Sequence, residues 1–385
     1  MSEAAVQLAK ALIGFDTTSR GSNLVLIDFA QDLIEKAGGR CRRTHDAGGA
    51  KANLFASFGP DGDGGIVLSG HTDVVPVDGQ DWSSDPFAAE VRDGKLFGRG
   101  ASDMKSFIAV ALSLLPDIAK AKLKRPLHLA LSYDEEVGCV GVTGLLDDLK
   151  AQGIRPALAI IGEPTLMQIV GAHKGGAKMV TTACGREGHS SAPERGANAV
   201  MMAGEFIALL DSVWNELRAD PDPRFEPPHS TVQATVVHGG TAVNILAREA
   251  EVTWEYRCLP DRDPRKILDR VEQRAQNEIL LKYRARAAEA DLRTRIHAVY
   301  PGLTLDEDSP AVALARELTG ANRVEAVSYG TEAGHFQSYG IPAVICGPGS
   351  IEQAHRPDEF VALSELDACE AFLRKVIAKG EERSA

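Results

Sequence analysis

Much of what this sequence says first is said by absence. Its six cysteines, Cys41, Cys139, Cys184, Cys258, Cys346 and Cys369, are scattered and form no CxxC pair. That argues against a disulfide framework and for reduced thiols in a cytoplasmic protein. Basic residues are in deficit, 42 against 54 acidic, for a net charge of −12. A nucleic-acid partner needs a concentrated basic face, so none is expected, and anionic membrane surfaces are disfavoured. No apolar run approaches the roughly 18–20 residues of a membrane span; the longest, 107–115, is broken by Ser113. The N-terminus opens with an acid and shows no basic stretch followed by an apolar one, so no signal peptide is read. Internal repeats and low-complexity tracts are absent. What is present is a chain of 385 residues, 44% hydrophobic and 25% charged. That length suits two domains, each large enough to bury a core.

The patterning changes along the chain. Helical stripes at 4–13 and 23–37 are followed by short apolar runs at 53–58, 65–69, 127–133 and 158–161, bounded by Gly and Pro. These read as buried strands, with helices at 104–115 and 142–152 between some of them. Strands alternating with helices point to an α/β sheet covered on both faces. From about residue 175 the order becomes strand 177–184, helix 197–217, strands 231–237 and 249–258, helix 264–281, strand 291–300. That is the β-α-β-β-α-β order of a ferredoxin-like α+β unit. The first texture then returns, with a helix at 310–319, a strand at 343–346 and a closing helix at 364–379. The expectation is a discontinuous α/β domain, 1–174 and 302–385, interrupted by an inserted α+β domain, 175–301.

Acidic residues and histidines fall at the ends of expected strands, where open α/β sheets bind ligands. His71, Glu136 and Glu163 follow three such strands, Asp103 opens a helix, and His355 follows a fourth strand. Each alone has an ordinary reading: Asp103 as a helix cap, Glu135 and Glu136 as a solvated turn, Glu163 and His355 as exposed loop residues. Together they form a set of two imidazoles and three carboxylates without a thiolate, suited to zinc, cobalt or manganese. Five ligands are too many for one tetrahedral catalytic ion, and fit two ions sharing a carboxylate and a water. Asp73, two residues past His71, is placed to bond the other imidazole nitrogen. Of the adjacent Glu135 and Glu136, one can bind metal while the other stays free as a general base.

The motifs SGHTDVVPVDGQDWSSDPFAAEVRDGKLFGRGASDMKS (69–106), YDEEVG (133–138), GEPT (162–165) and GHSSAP (188–193) occur in order. On these, the chain resembles the di-zinc aminoacylase and acetylornithine deacetylase family of metallohydrolases, over essentially its whole length. The resemblance implies a di-zinc exopeptidase-like catalytic domain, a central mixed sheet with helices on both faces, carrying an inserted lid or dimerisation domain. It implies two divalent ions, zinc or alternatively cobalt. Asp103 would bridge them, His71 and Glu163 would complete one, and Glu136 and His355 the other. Glu135 would be the general base, Asp73 the partner of His71, and the Asp103–Met104 peptide cis. His189 would reach the active site of the partner subunit in a homodimer and polarise the scissile carbonyl. Asn244 and Arg257 would contact substrate, Arg257 through an α-carboxylate.

The late segment TEAGHFQSYGIPAVICGPGSIEQAHRPDEFV (331–361) looks more like acetylornithine deacetylases than like succinyl-diaminopimelate desuccinylases. The resemblance thus implies a small N-acyl amino-acid substrate, N2-acetyl-L-ornithine, hydrolysed to acetate and ornithine in arginine biosynthesis. Glu332 is then a candidate partner for a cationic substrate side chain. Gly334-His335-Phe336 departs from the best-known deacetylases. The alternatives are another N-acyl-amino-acid deacylase, a desuccinylase or a dipeptidase of the same family.

Overall fold

A mixed eight-stranded sheet organises the larger unit of the chain. Its order is Arg40–His45, Ala52–Phe58, Leu127–Ser132, Ile66–His71, Leu158–Ile161, Ala343–Ile345, Val170–His173, Glu325–Val327. The computed structural model describes residues 3–382; residues 1–2 and 383–385, counted within the expected catalytic domain, lie outside them. Four central strands, Leu127–Ser132, Ile66–His71, Leu158–Ile161 and Ala343–Ile345, run parallel. All of Leu127–Ser132 and Leu158–Ile161 is buried. The cause is helices on both faces, which make a central parallel strand apolar throughout instead of alternating.

Side-chain alternation sorts the two faces. Leu54, Ala56, Leu68, Leu127, Leu129, Leu131, Ile160 and Val344 join one core with the helices Glu3–Ile13, Leu24–Lys36, Lys105–Ser113, Pro310–Thr319 and Leu363–Gly380. The opposite face meets the helices Val140–Gln152 and Ala333–Ser338. Helix ends follow local chemistry. Ser309 accepts from Ala311 N at 3.3 Å before a proline at the first turn, and Gly320, at φ +76°, closes the same helix. The edge strand Arg40–His45 is not among the strands read from the sequence. It is RCRRTH, half-exposed, and the charge that suits an edge hides it from an apolar-run search.

The second unit comprises residues 173–302 with 327–330. Its antiparallel sheet has the order Thr231–Gly239, Glu249–Cys258, Gly175–Cys184, Asp291–Tyr300. Trp254, Met179, Val252 and Tyr256 meet the helix Ala199–Leu217 in a core of their own. Asn198 caps that helix through Val200 N at 3.0 Å. The expected helix at 264–281 is divided: Arg265–Arg274 passes through a π-helical turn, Ala275–Leu280, into Leu281–Arg284.

One glycine shows how closely the larger unit is packed beside its strand ends. A Cβ on Gly162, which follows the strand Leu158–Ile161, would lie 2.1 Å from Cγ of buried Phe107. Gly162→Ala therefore should lower the stability of this unit by about 1–3 kcal/mol through overpacking. Urea unfolding of the variant against the parent checks this.

Candidate metal centre

The parallel strands end on one rim, and their carboxyl ends carry the candidate ligands. His71 closes the strand Ile66–His71. Glu135 and Glu136 follow Leu127–Ser132 after a turn in which Asp134 has φ +56°. Glu163 follows Leu158–Ile161, and His355, itself at φ +65°, lies ten residues beyond Ile345. Asp103 comes from the loop before the helix Lys105–Ser113. It is not that helix's cap: Met104 holds that place, and the Asp103–Met104 peptide is cis.

Asp103 lies between the two imidazoles. Its Oδ1 is 3.0 Å from His71 Nε2, and its Oδ2 is 3.3 Å from His355 Nε2. Glu163 Oε1 is 3.9 Å from His71 Nε2, and Glu136 Oε2 is 3.0 Å from His355 Nε2. Ligand atoms of His71, Asp103 and Glu136, and likewise of His71, Glu135 and Glu163, fall within 4.8 Å of one another. His71, Asp103 and Glu163 are buried, while the His355 side chain is 51% exposed. One imidazole is thus enclosed and the other opens to solvent.

The electrostatics call for a cation. Burial and the Asp103 charge push Glu163 well above the usual carboxylate range, and its Oε1 is buried without a hydrogen-bond partner. Burial likewise raises Glu136, and raises Glu135 to about 8. Burial would raise Asp103 too, but the His355 and His71 imidazoles outweigh it and hold Asp103 low. Burial would lower His71; its contacts with the Asp103 and Asp73 carboxylates hold it well above 6.5 instead. Crowded carboxylates with an orphaned oxygen, set around two imidazoles, are the donor set that divalent ions neutralise. The residues present therefore fit a metal centre.

Asp73 does something the spacing did not suggest. His71 Nδ1 meets the Asp73 backbone carbonyl at 2.9 Å, while the Asp73 carboxylate is 3.6 Å away, too far for a hydrogen bond. That carboxylate accepts from Ser19 Oγ at 2.7 Å, Glu135 N at 3.1 Å and Glu136 N at 3.3 Å. It orients the paired-glutamate turn, and the His71 tautomer is set by the main chain. Lys51 supports the same turn from Asp134 at 2.5 Å. Neither Ser19 nor Lys51 carries a signal in the sequence, because each acts from a distant segment.

Of the remaining candidates, Glu332 is close enough to the cluster for its charge to raise Glu135, and the others are in the second unit. Glu332 is 1% exposed, with Oε2 3.5 Å from Ser69 Oγ, and burial raises it to about 7. In the second unit, His189 is exposed and pairs with Ile245 in a two-residue ladder, and Ser190 N donates to the carbonyl of exposed Asn244 at 3.0 Å. His189 Nδ1 accepts from Ser191 N at 3.2 Å. In the neutral ring the proton then sits on Nε2. Arg257 is at the other end of the sheet, opposite Gly176, with its Nε 3.1 Å from Glu255. Arg257 is eight residue steps along the strand from Glu249, its start, or roughly 26 Å.

Residues 67–379 match the profile of peptidase family M20/M25/M40. The chain belongs to this family. Membership makes it a metal-dependent amidohydrolase. Among its relatives, an acetylornithine deacetylase of Myxococcus xanthus is 37% identical over 374 residues, 95% of each chain. One of Pasteurella multocida is 32% identical over 382 residues, 97% of each. The M20 family metallo-carboxypeptidase Sso-CP2 of Sulfolobus solfataricus shares the fold, with a TM-score of 0.78 at 17% identity over 99% of this chain and 100% of that one. So does YXEP of Bacillus subtilis, described as a dinuclear metal-binding peptidase, with a TM-score of 0.66 at 16% identity over 97% of each chain.

In the M20 site without metal, hydrogen bonds to Asp103 and Glu136 hold His355 up to about 10, against a smaller lowering by burial. Its imidazole is then a cation at neutral pH, whereas a metal takes the neutral ring. Loading the metal-free protein with Zn²⁺ should therefore release protons. Apparent affinity should rise between about pH 6 and pH 9 as those protons become easier to displace. Titration calorimetry in buffers of different ionisation enthalpy measures the release, and the H355A variant should release fewer.

Proposed function

We propose that this M20 enzyme hydrolyses the amide bond of N2-acetyl-L-ornithine to acetate and L-ornithine, a step of arginine biosynthesis. The observation that carries the reading is the Asp103 carboxylate set between His71 and His355, with Glu135 beside them, in a chain whose relatives are named acetylornithine deacetylases. Asp103 would help to hold two divalent ions, zinc or cobalt, with His71 and Glu163 on one side and Glu136 and His355 on the other. Such a pair supplies Lewis acidity, acidifying water and drawing charge from an acyl carbonyl. Glu135 takes the proton of the attacking water on its carboxylate and returns it to the leaving amine. Burial raises Glu135 to about 8, with the Glu136 and Asp103 charges adding and His71 opposing, a range in which a carboxyl can both take and return a proton. Asp73 keeps the Glu135 backbone in place during both transfers.

His189 presents its Nε2–H to the developing oxyanion, a role its tautomer permits. Arg257 pairs with the substrate α-carboxylate as a planar fork, and Asn244 adds an amide contact. Glu332 is the partner proposed for the cationic side chain. Arg257 lies at the far end of its strand from Glu249, roughly 26 Å away, so the substrate contacts proposed in the second unit are spread along its sheet. On this reading two protomers share each site, with His189 reaching the ligands of its partner. Exposed Val236 and Val237 on the edge strand Thr231–Gly239, with Met201 on the neighbouring helix, supply an apolar surface for that homodimer. Six free cysteines accord with a cytoplasmic setting. Among the described residues no helix is long and apolar enough to cross a membrane.

Purified protein with added zinc should release ornithine from N2-acetyl-L-ornithine, and EDTA should stop it. Activity confined to other N-acyl amino acids would move the substrate within the family. Glu135→Gln should cost at least about 10²-fold in kcat while both ions still bind. A second experiment addresses the shared site. Subunits of H189A and E135Q, each inactive alone, should recover about a quarter of wild-type activity when exchanged at random, because one site of each mixed dimer is intact. No recovery would place His189 in its own subunit's site.

A further inference from the structure

Glu359 and Arg99 are each 1% exposed, and the proposed chemistry uses neither. Glu359 Oε1 accepts from Ser102 N at 2.8 Å and Asp103 N at 3.0 Å. Its Oε2 accepts from Gly100 N at 3.1 Å and Arg99 Nη1 at 2.7 Å. One carboxylate thus gathers the backbone of the loop that ends in Asp103. Arg99 continues the connection: Nη2 donates to Gln80 Oε1 at 2.6 Å and Nη1 to the Arg356 carbonyl at 3.4 Å. Gln80 Nε2 then donates to the His355 carbonyl at 2.8 Å. Ser102 Oγ meets Ser350 from both sides, donating to its carbonyl at 3.1 Å and accepting from its N at 3.0 Å. His355 needs such support, because a non-glycine residue at φ +65° persists only when its surroundings hold it.

We propose that Glu359, Arg99 and Gln80 are positioning residues that clamp the Asp103 loop to the His355 loop, fixing the separation of two ligands before the ion between them arrives. The proposal rests on the ligand assignment above and adds a reason why those ligands, about 250 residues apart in sequence, converge without a metal to draw them together. A carboxylate is required at 359, since an amide in its place would turn a donor toward backbone N–H groups or toward the guanidinium. Arg99 is confined in the same way, lying 5.0 Å over the Trp82 ring.

The test is Zn²⁺ uptake by the full-length, metal-stripped protein, read by competition with a chromogenic chelator, together with the visible spectrum of the Co²⁺-loaded form. The H355A variant identifies which binding event belongs to His355. Glu359→Gln should weaken that event by about 10–100-fold and shift the Co²⁺ spectrum. Gln80→Ala, which cuts the link to His355 without stranding a buried charge, should weaken it by a smaller factor while circular dichroism and the melting temperature stay near wild type. It decides the matter if Glu359→Gln fails to fold. Wild-type Zn²⁺ affinities and an unchanged Co²⁺ spectrum in a folded variant would overturn the clamp and leave the ligand assignment standing. If wild-type protein takes up fewer than two ions, or H355A loses none, both readings fail together.

Discussion

Like charges crowded out of water are the constraint to which the rest of the larger unit answers. Asp103, Glu136 and Glu163 converge with Glu135 on two imidazoles, and burial pushes most of these carboxyls upward. Such a cluster is costly unless cations or donors meet it. The two oxygens of Asp103 face different imidazoles, and His355 also meets Glu136 Oε2 at 3.0 Å. Glu163 Oε1 stays without a hydrogen-bond partner, a residual demand that a cation would meet.

The sheet makes this convergence possible. Four parallel strands end together, and each end delivers a side chain from a different part of the chain to one rim. The strands can be parallel and buried because helices cover both faces, and that cover is why they read as unbroken apolar runs. The second unit obeys a different logic. Its antiparallel sheet has one face on helices and an exposed edge, and its chemistry-bearing residues lie at opposite ends.

Legibility of the sequence varied with how local the signal was. The central strands and the ferredoxin-like order were readable because apolar runs and alternation are properties of short segments. His71, Glu136 and Glu163 could be placed on one rim because each lies at or just past the end of such a segment, whereas His355 lies ten residues beyond its strand. The edge strand Arg40–His45 escaped because charge masks its periodicity. Glu359 carries no signal in the sequence, where it stands as one polar residue beside Arg356 and Asp358. Its burial comes from Gly100, Ser102 and Arg99, far away in sequence. Asp73 was assigned to the right imidazole by spacing, yet its backbone carbonyl makes the contact and its carboxylate serves Glu135 and Glu136.

The order of residues along the chain was enough to establish the α/β class, the kind of ligand and the family, because strand patterning and motif spacing are written in contiguous letters. Only folding decided which oxygen faces which imidazole, which carboxylate is left without a partner, and which polar side chains are buried to hold a loop. Those outcomes depend on distances between segments about 250 residues apart, and on desolvation, which no single segment carries.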